Sequence, residues 1–560
     1  MSVSFPPALL LLLGALLLPL CRGRVRTALL LGLPLLALAA AWGVPDGSAL
    51  RVDFLGLELE PVRGSGVARL FATVFALMAF AGTLFALGQS RLLEQVAALV
   101  YAGGALGVTF AGDLVTLFVF WELMAIGSTL VIWAAGTPAA YRASFRYLMI
   151  HLLGGVVLMA GIAGQYVETG SIAFTAMQAD SLARWLILAG FLVNVGAPPL
   201  STWIPDAYPE ASPSGAVFLS AFTTKTAVFT LLVGFPGTTL LVWVGLWMIF
   251  YGIIYALLEN DMRRILAYSI VNQVGFMVCG IGIGTAMALN GAAAHAFAHI
   301  IYKALLLMSA GAVLYMTGRR KCSELGGLFQ SMPLTTLCGT IGALAISSFP
   351  FTSGFVSKSM ITQAAVDQHL ATVWFLLIAA SAGVFLHAGI KFPWFVFFQK
   401  DSGLRPPDPP WNMRAAMVLF AFLCIALGVF PQPLYALLPH PVEYVPYTAA
   451  HLVSQFQLLL FSGLAFFVLL PLMRRTETIS LDFDWFYRVA GKRLALALLR
   501  RGAQSRARVV GLLGARAGRL LDGLFRTHGP HGVLARTSPT GSMVLWVAVL
   551  LATLLLASYL

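Results

Sequence analysis

Long apolar runs, separated by short polar segments, extend over most of the chain. These runs are too long and continuous for transmembrane β-strands, which alternate over about 10 residues, whereas about 20 apolar residues let a helix cross a bilayer. The pattern therefore predicts an all-α membrane protein with sixteen spans. They are placed near 6–20, 27–43, 66–88, 92–110, 113–136, 145–167, 183–203, 214–235, 237–258, 265–285, 288–316, 333–365, 370–398, 413–437, 451–473 and 542–560.

Two of these runs contain residues that interrupt helices. The stretch VGAPPLSTWIPDAYPEASPSG (195–215) holds five prolines, and LAISSFPFTSGFVSKSM (344–360) holds Pro350 and Gly354. Proline removes a backbone donor and clashes with the preceding turn. Broken helices at membrane depth are tolerated where they line a polar cavity, and they mark ion sites in transporters. We therefore predict a core of about fourteen helices over residues 1–437, with two of the helices broken.

The C-terminal part differs in character. We predict an additional transmembrane helix over 438–475, a basic arm with a linker over 476–541, and a last transmembrane helix over 542–560. Leucines and arginines recur at helical spacing in the arm, which predicts an amphipathic lateral helix on the membrane or on partner subunits. Nucleic-acid binding is the other explanation of a basic run, but this position beside a membrane helix favours anionic lipid along 476–536.

Composition and charge agree with a membrane protein. Hydrophobic residues make up 59% of the chain and charged residues 10%, against roughly 25% charged residues in soluble domains. Basic loops alternate with acidic loops, so the positive-inside rule places the basic loops and 476–541 in the cytoplasm and both termini outside. The five cysteines lack metal-site spacing and no nucleotide-binding motif is present. We therefore expect no metal, no cofactor and no catalytic or redox site of the chain's own.

Four charged residues lie inside the predicted spans. Glu122 is about half-way along the apolar run 114–136, and the bases are Lys225, Lys303 and Lys358. A charge in bilayer hydrocarbon costs at least a few kcal/mol, so such residues are functional-site candidates. One acid and three bases on separate helices indicate a proton relay. The alternative is that the lysines are structural, neutralised by burial and bonded to backbone carbonyls.

Other polar residues accompany this set. His299 precedes Lys303 by one helical turn and is a relay candidate, whereas three further histidines are expected to serve helix packing: His151, His295 and His387. Asp206 and Glu210 border the first predicted break. They are either a cytoplasmic proton inlet or solvated loop charges.

Five motifs resemble one known family. They are FWELMAIGSTLVIW around Glu122, PLSTWIPDAYPEASPSGAVFLSAFTTKTAVFTLL (199–232), LENDMRRILAYSIVNQVGFM (258–277), HAFAHIIYKALLLMSAGAVLY (295–315) and SSFPFTSGFVSKSM (347–360). Together they resemble the proton-translocating antiporter-like subunits of respiratory complex I, membrane-bound hydrogenases and Mrp antiporters, the Mrp D-type subunit most of all. The resemblance covers about residues 60–400. It implies a fourteen-helix fold and a buried translocation axis formed by Glu122, Lys225, Lys303 with His299, and Lys358.

One position departs from the family pattern. Asn194 stands in FLVNVGAPPLSTWIP where the family usually carries a lysine that pairs with the glutamate. Without that cation we expect Glu122 to be protonated or to pair with Lys225, since an opposite charge nearby favours the carboxylate and burial disfavours it.

The resemblance implies a subunit that moves H⁺, with or without Na⁺ or K⁺, among other membrane subunits of an Mrp- or complex I-type assembly. Such a chain would count as part of an NADH:quinone oxidoreductase-like complex or of a cation/proton antiporter. The alternative function, favoured by Asn194, is a non-transporting scaffold that anchors a redox or inorganic-carbon-handling partner.

Overall fold

The computed structural model describes residues 5–472 and 481–560. The chain divides into two units, Met1–Asp484 and Trp485–Leu560. The end of the span predicted at 451–473 and the start of the arm predicted at 476–541 lie partly outside the described residues.

Helices form nearly all of the first unit. Its N-terminal half contains α1 Pro7–Leu17, α2 Gly23–Trp42, β1 Gly47–Phe54, β2 Leu57–Gly64, α3 Gly66–Ala86, α4 Leu92–Phe110, α5 Leu114–Trp133, α6 Pro138–Thr169, α7 Leu182–Val195 and α8 Trp203–Ala207. Its C-terminal half contains α9 Gly215–Leu219, α10 Thr223–Gly234, α11 Leu240–Leu258, α12 Met262–Ile283, α13 Ala286–Thr317, α14 Pro333–Ile346, α15 Ser353–Asp367, α16 Ala371–Val384, α17 Trp411–Val429, α18 Gln432–Tyr435 and α19 Ala449–Val468.

Among the described residues, thirteen helical segments are long and apolar enough to cross a membrane. The most buried of them are α12, α13 and the segment Gly215–Gly234 that contains α9 and α10, whereas α2 and α19 expose most of their apolar surface. This arrangement confirms the predicted all-α membrane fold, with α19 following the core helices.

Glycines allow α11 and α12 to pack at close range. A Cβ atom at Gly245 would lie 2.5 Å from the backbone nitrogen of Cys279, and one at Gly275 would lie 2.6 Å from the carbonyl of Gly245. Gly252 and Gly282 repeat this close approach seven residues further along each helix. Small residues at such spacing are the usual means by which membrane helices bring their backbones together.

Both predicted breaks are present. The helix α7 ends at Gly196, whose φ of 80° is in the left-handed region that suits glycine. The helix α14 ends at Ile346, and α15 begins at Ser353 beyond Pro350. Each break leaves backbone groups without helical partners, so side chains must satisfy them.

A third interruption, between α9 and α10, was not predicted. The Tyr101 hydroxyl, on α4, accepts the backbone N–H of Thr223 at 2.9 Å and lies 2.6 Å from the Thr223 hydroxyl. No proline or glycine lies within 216–233, so the local sequence carried no signal for this interruption. Further along, π-helical turns at Phe385–Lys391 and Trp394–Phe398 follow α16, and such turns are often found at functional sites.

An antiparallel hairpin of β1 and β2, also not predicted, lies before α3. Asp113 joins it to α5, because its Oδ2 accepts the backbone N–H of Glu60 and its Oδ1 accepts that of Thr116, each at 2.7 Å. Asp113 is thus both the N-cap of α5 and the attachment point of the hairpin.

The second unit contains a π-helical turn Phe486–Gly491, then α20 Lys492–His528 and α21 Thr540–Tyr559. The 37 residues of α20 correspond to about 55 Å at 1.5 Å per residue. The prediction of a helical arm is confirmed, and its glycines do not interrupt the helix.

Asp113→Ala is expected to lower thermal stability, because it removes a helix cap and the hydrogen bond that holds the hairpin. An N-cap loss costs about 0.5–2 kcal/mol. The unfolding midpoint of the purified protein in detergent measures the effect. Asp53→Ala, an exposed hairpin acid, is the control, and equal midpoints for the two variants would contradict the role of Asp113.

Candidate functional site

Lys225 lies on α10 directly after the unpredicted interruption. Its side chain is fully buried, and its ammonium donates to the carbonyl of Ser220 at 2.6 Å and to the Thr224 hydroxyl at 3.1 Å. The carbonyl is one that the interrupted helix leaves available. The polar environment of Lys225 is therefore made by the break, and within the described residues its ammonium has no carboxylate partner.

Lys303 lies in the middle of α13 and is fully buried. Its ammonium donates to the Ser269 hydroxyl of α12 at 2.8 Å. His299 lies one turn before Lys303 on the same helix and is also fully buried.

Two histidines one turn apart on α13 differ in their partners. His295 contacts the Ser357 hydroxyl at 3.3 Å and the Gln273 side-chain oxygen at 3.1 Å. His299 is fully buried, and neither ring nitrogen has a hydrogen-bond partner in the described part of the chain. His295 is therefore held in place, whereas both nitrogens of His299 remain free to exchange a proton.

Lys358 lies on α15, one and a half turns after the second break. Its ammonium donates to the carbonyl of Ile346, the last residue of α14, at 3.1 Å, and lies 4.9 Å from the centre of the Phe276 ring. Lys358 also lines a cavity of about 410 Å³. The ammonium group of Lys358, like that of Lys225, therefore donates to a backbone carbonyl that lacks a helical partner because the helix is interrupted.

Glu122 and Asn194 lie on either side of α6. A Cβ atom on Gly155 would overlap Oε1 of Glu122, and one on the adjacent Gly154 would lie 3.7 Å from Oδ1 of Asn194. The two glycines therefore leave space beside this turn of α6 for the carboxyl group of Glu122 and the amide group of Asn194.

Neither of these side chains is fully bonded. Oε1 of Glu122 and both polar atoms of Asn194 lack hydrogen-bond partners among the described residues. Lys225 is bound to Ser220 and Thr224 rather than to Glu122, so the expected pairing of Glu122 with Lys225 is not observed. Glu122 as a whole is only half-buried, although Oε1 is enclosed by the protein. Burying an unpaired charge is costly, so protonation of Glu122 remains the expectation.

Asp206 and Glu210 are engaged in ion pairs. Arg146 binds Asp206 with two hydrogen bonds of 2.7 and 2.8 Å. Arg320 binds Glu210 at 3.2 Å and Asp261 at 2.9 Å. Asp206 is only 9% exposed, so it is not a freely solvated loop charge.

The segment after the first break is fixed by two buried charges that the sequence reading missed. Arg263 donates to the carbonyls of Pro209, Ala211 and Ser212 at 2.8–2.9 Å. Glu94 accepts the hydroxyls of Ser212 and Ser214. Because Glu94 lies in the first turn of its helix, where an acid is unremarkable, only the tertiary structure identifies it as buried.

Lys391 is a further buried lysine that sequence reasoning missed. Its ammonium donates to the carbonyls of Ala256, Leu257 and Glu259 at 2.6–3.0 Å and so caps the end of α11. Its place near the end of a long apolar run resembles that of any interfacial lysine, so no local pattern distinguishes it.

Two of the histidines expected to serve helix packing form a hydrogen bond at one ring nitrogen only. His151 and His387 each donate from Nδ1 to the carbonyl four residues earlier, at 2.9 and 2.8 Å. Their Nε2 atoms lack partners in the described residues. Among those residues no group of three or more His, Cys, Asp or Glu side chains could hold a metal.

The fold and this buried axis define a class: multi-pass membrane proteins with lysines held at helix breaks. Residues 111–385 match the family described as NADH:quinone oxidoreductase/Mrp antiporter, transmembrane. The chain is 33% identical over 402 residues to the D-type subunit of the Na⁺/H⁺ antiporter of Alkalihalophilus pseudofirmus, covering 66% of this chain and 81% of the relative. The chain belongs to this family.

Two further matches extend the comparison. The A/B-type subunit of a probable K⁺/H⁺ antiporter from Rhizobium meliloti is 30% identical over 69% of this chain, and the match spans only 42% of that relative. The structure of an Mrp complex from Dietzia aligns with a TM-score of 0.71 at 23% identity, over 78% of this chain and 95% of the matched chain. The family and fold predicted from the sequence are confirmed, and the scaffold alternative gains no support from these relatives.

Reaction with dicyclohexylcarbodiimide, which modifies protonated buried carboxyl groups, is expected to label Glu122. Asn194→Lys should reduce this labelling, because an ammonium group across α6 stabilises the carboxylate. Asn194→Gln is the neutral control and should label like the parent. Mass spectrometry of the peptide that contains Glu122 measures the outcome, and equal labelling of both variants would contradict an electrostatic role for position 194.

Proposed function

We propose that the chain is a proton-translocating subunit of a multi-subunit membrane complex, and that protons move along Lys225, His299, Lys303 and Lys358, with Glu122 at one end. The observation that carries the proposal is the bonding of the three axis lysines. Each is buried in a span, and its hydrogen-bond partners in the described residues are all uncharged.

Lys391 shows what a structural lysine looks like in the same protein. An ammonium group has three N–H donors, and Lys391 places them on three carbonyls. By contrast, Lys303 and Lys358 each make one hydrogen bond within the described part of the chain. Unsaturated ammonium groups without a counter-ion lose a proton readily in a low dielectric, which supports a relay over a purely structural role.

Polar groups of α6 lie near both Glu122 and Lys225. His151 lies one turn from Gly155, and its Nδ1 donates to the backbone carbonyl of Tyr147. The side-chain hydroxyl of Tyr147 lies 3.2 Å from that of Thr223, which is two residues from Lys225. These groups support a polar route between Glu122 and Lys225, although they form no continuous hydrogen-bonded chain among the described residues, and Asn194 stands where the family resemblance implies a lysine.

We further propose that protons, rather than Na⁺ or K⁺, are the species that this chain carries. The axis offers bases, and a cation would be repelled by the three lysines. We place the chain in a bacterial inner membrane. By the positive-inside rule its basic loops lie on the cytoplasmic side and both termini lie on the outer side. Asp206 and Glu210, held by Arg146 and Arg320, would lie at the cytoplasmic side of the path.

Glu122→Gln is expected to abolish proton movement in membrane vesicles that contain the assembled complex, because an amide cannot exchange the proton. Gly155→Ala should also slow it, since the added Cβ displaces the Glu122 carboxyl group. Gly154→Ala is the control, because its Cβ meets nothing closer than a side-chain atom of Val193 at 3.0 Å. A pH-sensitive dye reports the flux. Undiminished flux in assembled Glu122→Gln complexes would refute the proposal and favour the scaffold alternative.

The arm is proposed to brace neighbouring membrane subunits and to rest on anionic lipid. Its attachment supports this. Oδ2 of Asp482 accepts the hydroxyls of Tyr251 and Tyr268, each at 2.7 Å, and the Tyr255 hydroxyl donates to the carbonyl of Leu481 at 2.8 Å. Burial raises the pKa of Asp482, although both tyrosine hydroxyls oppose this.

Apolar and basic side chains lie on different sides of α20. Exposed leucines and valines that include Leu498, Val509, Leu513 and Leu520 lie around one side of the helix, and most arginines lie around the other. An apolar stripe about 55 Å long is more than one neighbouring subunit needs, so the proposed occupants are several partners in a row.

Deletion of 476–560 is therefore expected to weaken assembly of the complex while the first unit still folds. Co-purification of partner subunits measures assembly, and monodispersity of the truncated chain in detergent measures folding. Asp482→Asn, which removes only the charge at the attachment point, is the milder variant. A truncated complex of normal yield and composition would refute the bracing role.

A further inference from the structure

The cavity beside Lys358 extends between α15 and the start of α19. It is lined near the break by Ser348 and Lys358, then by Thr362 and Gln363 on the last turns of α15, and by Thr448 at the start of α19. Since α14 starts beside the Arg319–Arg320 loop and α15 runs on from it, the end of α15 lies at the opposite face. The cavity therefore joins Lys358 to the face away from the arginine-rich loops.

The cavity is large and polar enough for water. Its volume of about 410 Å³ far exceeds the roughly 10–15 Å³ that one water requires. Hydroxyl and amide side chains, including Ser359, Tyr444 and Gln455, provide partners along its length. A lysine ammonium at its inner end is thereby placed in reach of solvent.

A histidine of α19 lies on the wall of the same cavity. The His451 ring stacks on Phe355, with centroids 4.4 Å apart and an interplanar angle of 15°, and Phe355 precedes Lys358 by one turn. Nδ1 of His451 donates to the carbonyl of Pro446 at 2.7 Å. Because a carbonyl only accepts, Nδ1 carries the hydrogen, and Nε2 is the basic nitrogen of the neutral ring.

α19 is attached to the break itself. Gln455, one turn after His451 on the same face, donates to the carbonyl of Ser347 at 3.3 Å, next to the Ile346 carbonyl that receives Lys358. The helix that follows the predicted fourteen-helix core thus forms one wall of the route from Lys358 to the surface.

We propose that this cavity is the aqueous vestibule of the outer face and that His451 is the last protein base on the proton path. The inference rests on the proposed function and names where that path ends. Lys358 releases a proton as its N–H bond breaks. The proton forms an N–H bond at Nε2 of His451, directly or through water, and the imidazolium then returns it to the outer solution. Tyr444 and Lys358 are the other titratable side chains that line the vestibule.

The test uses right-side-out vesicles that contain the assembled complex. His451→Ala should lower proton flux by about 100-fold, the lower end of what a positioned proton carrier contributes. Imidazole added outside should restore flux in this variant, because the vestibule is open and the removed ring leaves room. His451→Gln should be equally slow but should not respond to imidazole, since its side chain fills the space. His369→Asn, an exposed histidine at the same face that does not line the cavity, should behave like the parent.

A packing role for His451 would lower stability without any response to imidazole, so unrelieved loss in His451→Ala overturns the inference, as does parental flux. A second measurement is independent of activity. A membrane-impermeant thiol reagent outside should modify Thr448→Cys, but neither the parent nor Ser462→Cys, which lies on α19 outside the cavity lining. An unmodified Thr448→Cys would also overturn it. If Glu122→Gln abolishes flux while the His451 variants retain it, the vestibule fails and the proposed function stands.

Discussion

The cost of placing lysine ammonium groups inside a membrane, without acids beside them, governs the arrangement of this protein. Backbone carbonyls meet that cost where helices are interrupted: Ser220 receives Lys225 and Ile346 receives Lys358. Carbonyls are dipoles rather than charges, so they hold an ammonium group without fixing its proton as a carboxylate would. The breaks supply these carbonyls, and the deeply buried helices α12 and α13 surround the lysines.

Much of the fold could be predicted from the sequence. The thickness of the bilayer sets the length of an apolar helix, and proline interrupts a helix. Glu122, the three axis lysines and both proline-bearing interruptions were found in this way. The interruption before Lys225 was not, since it depends on Tyr101, which is more than a hundred residues away in the chain. Glu94 and Lys391 were missed for a related reason: only tertiary packing distinguishes a buried charge near a helix end from an interfacial one.

The surroundings of Glu122 differ in hydrogen bonding and charge from those of Lys225, Lys303 and Lys358. Asn194 is an amide with no hydrogen-bond partner in the described residues, and Glu122 lies against Gly155 and forms no ion pair within that part of the chain. The surroundings of Glu122 therefore lack the buried ammonium groups that the other three positions have. The hairpin held by Asp113 fixes the start of α5, so the position of Glu122 is still defined by the fold.

The three interruptions are not equivalent in what they permit. A break made by proline is permanent, because the ring occupies the place of a helical hydrogen bond. The break at 220–222 is made by a hydroxyl group that competes with the backbone for Thr223, and nothing covalent prevents α9 and α10 from joining into one helix. Joining them would engage the Ser220 carbonyl and take it away from Lys225. The break beside Lys225 is therefore held by a hydrogen bond from another helix, whereas the break beside Lys358 contains a proline of its own sequence.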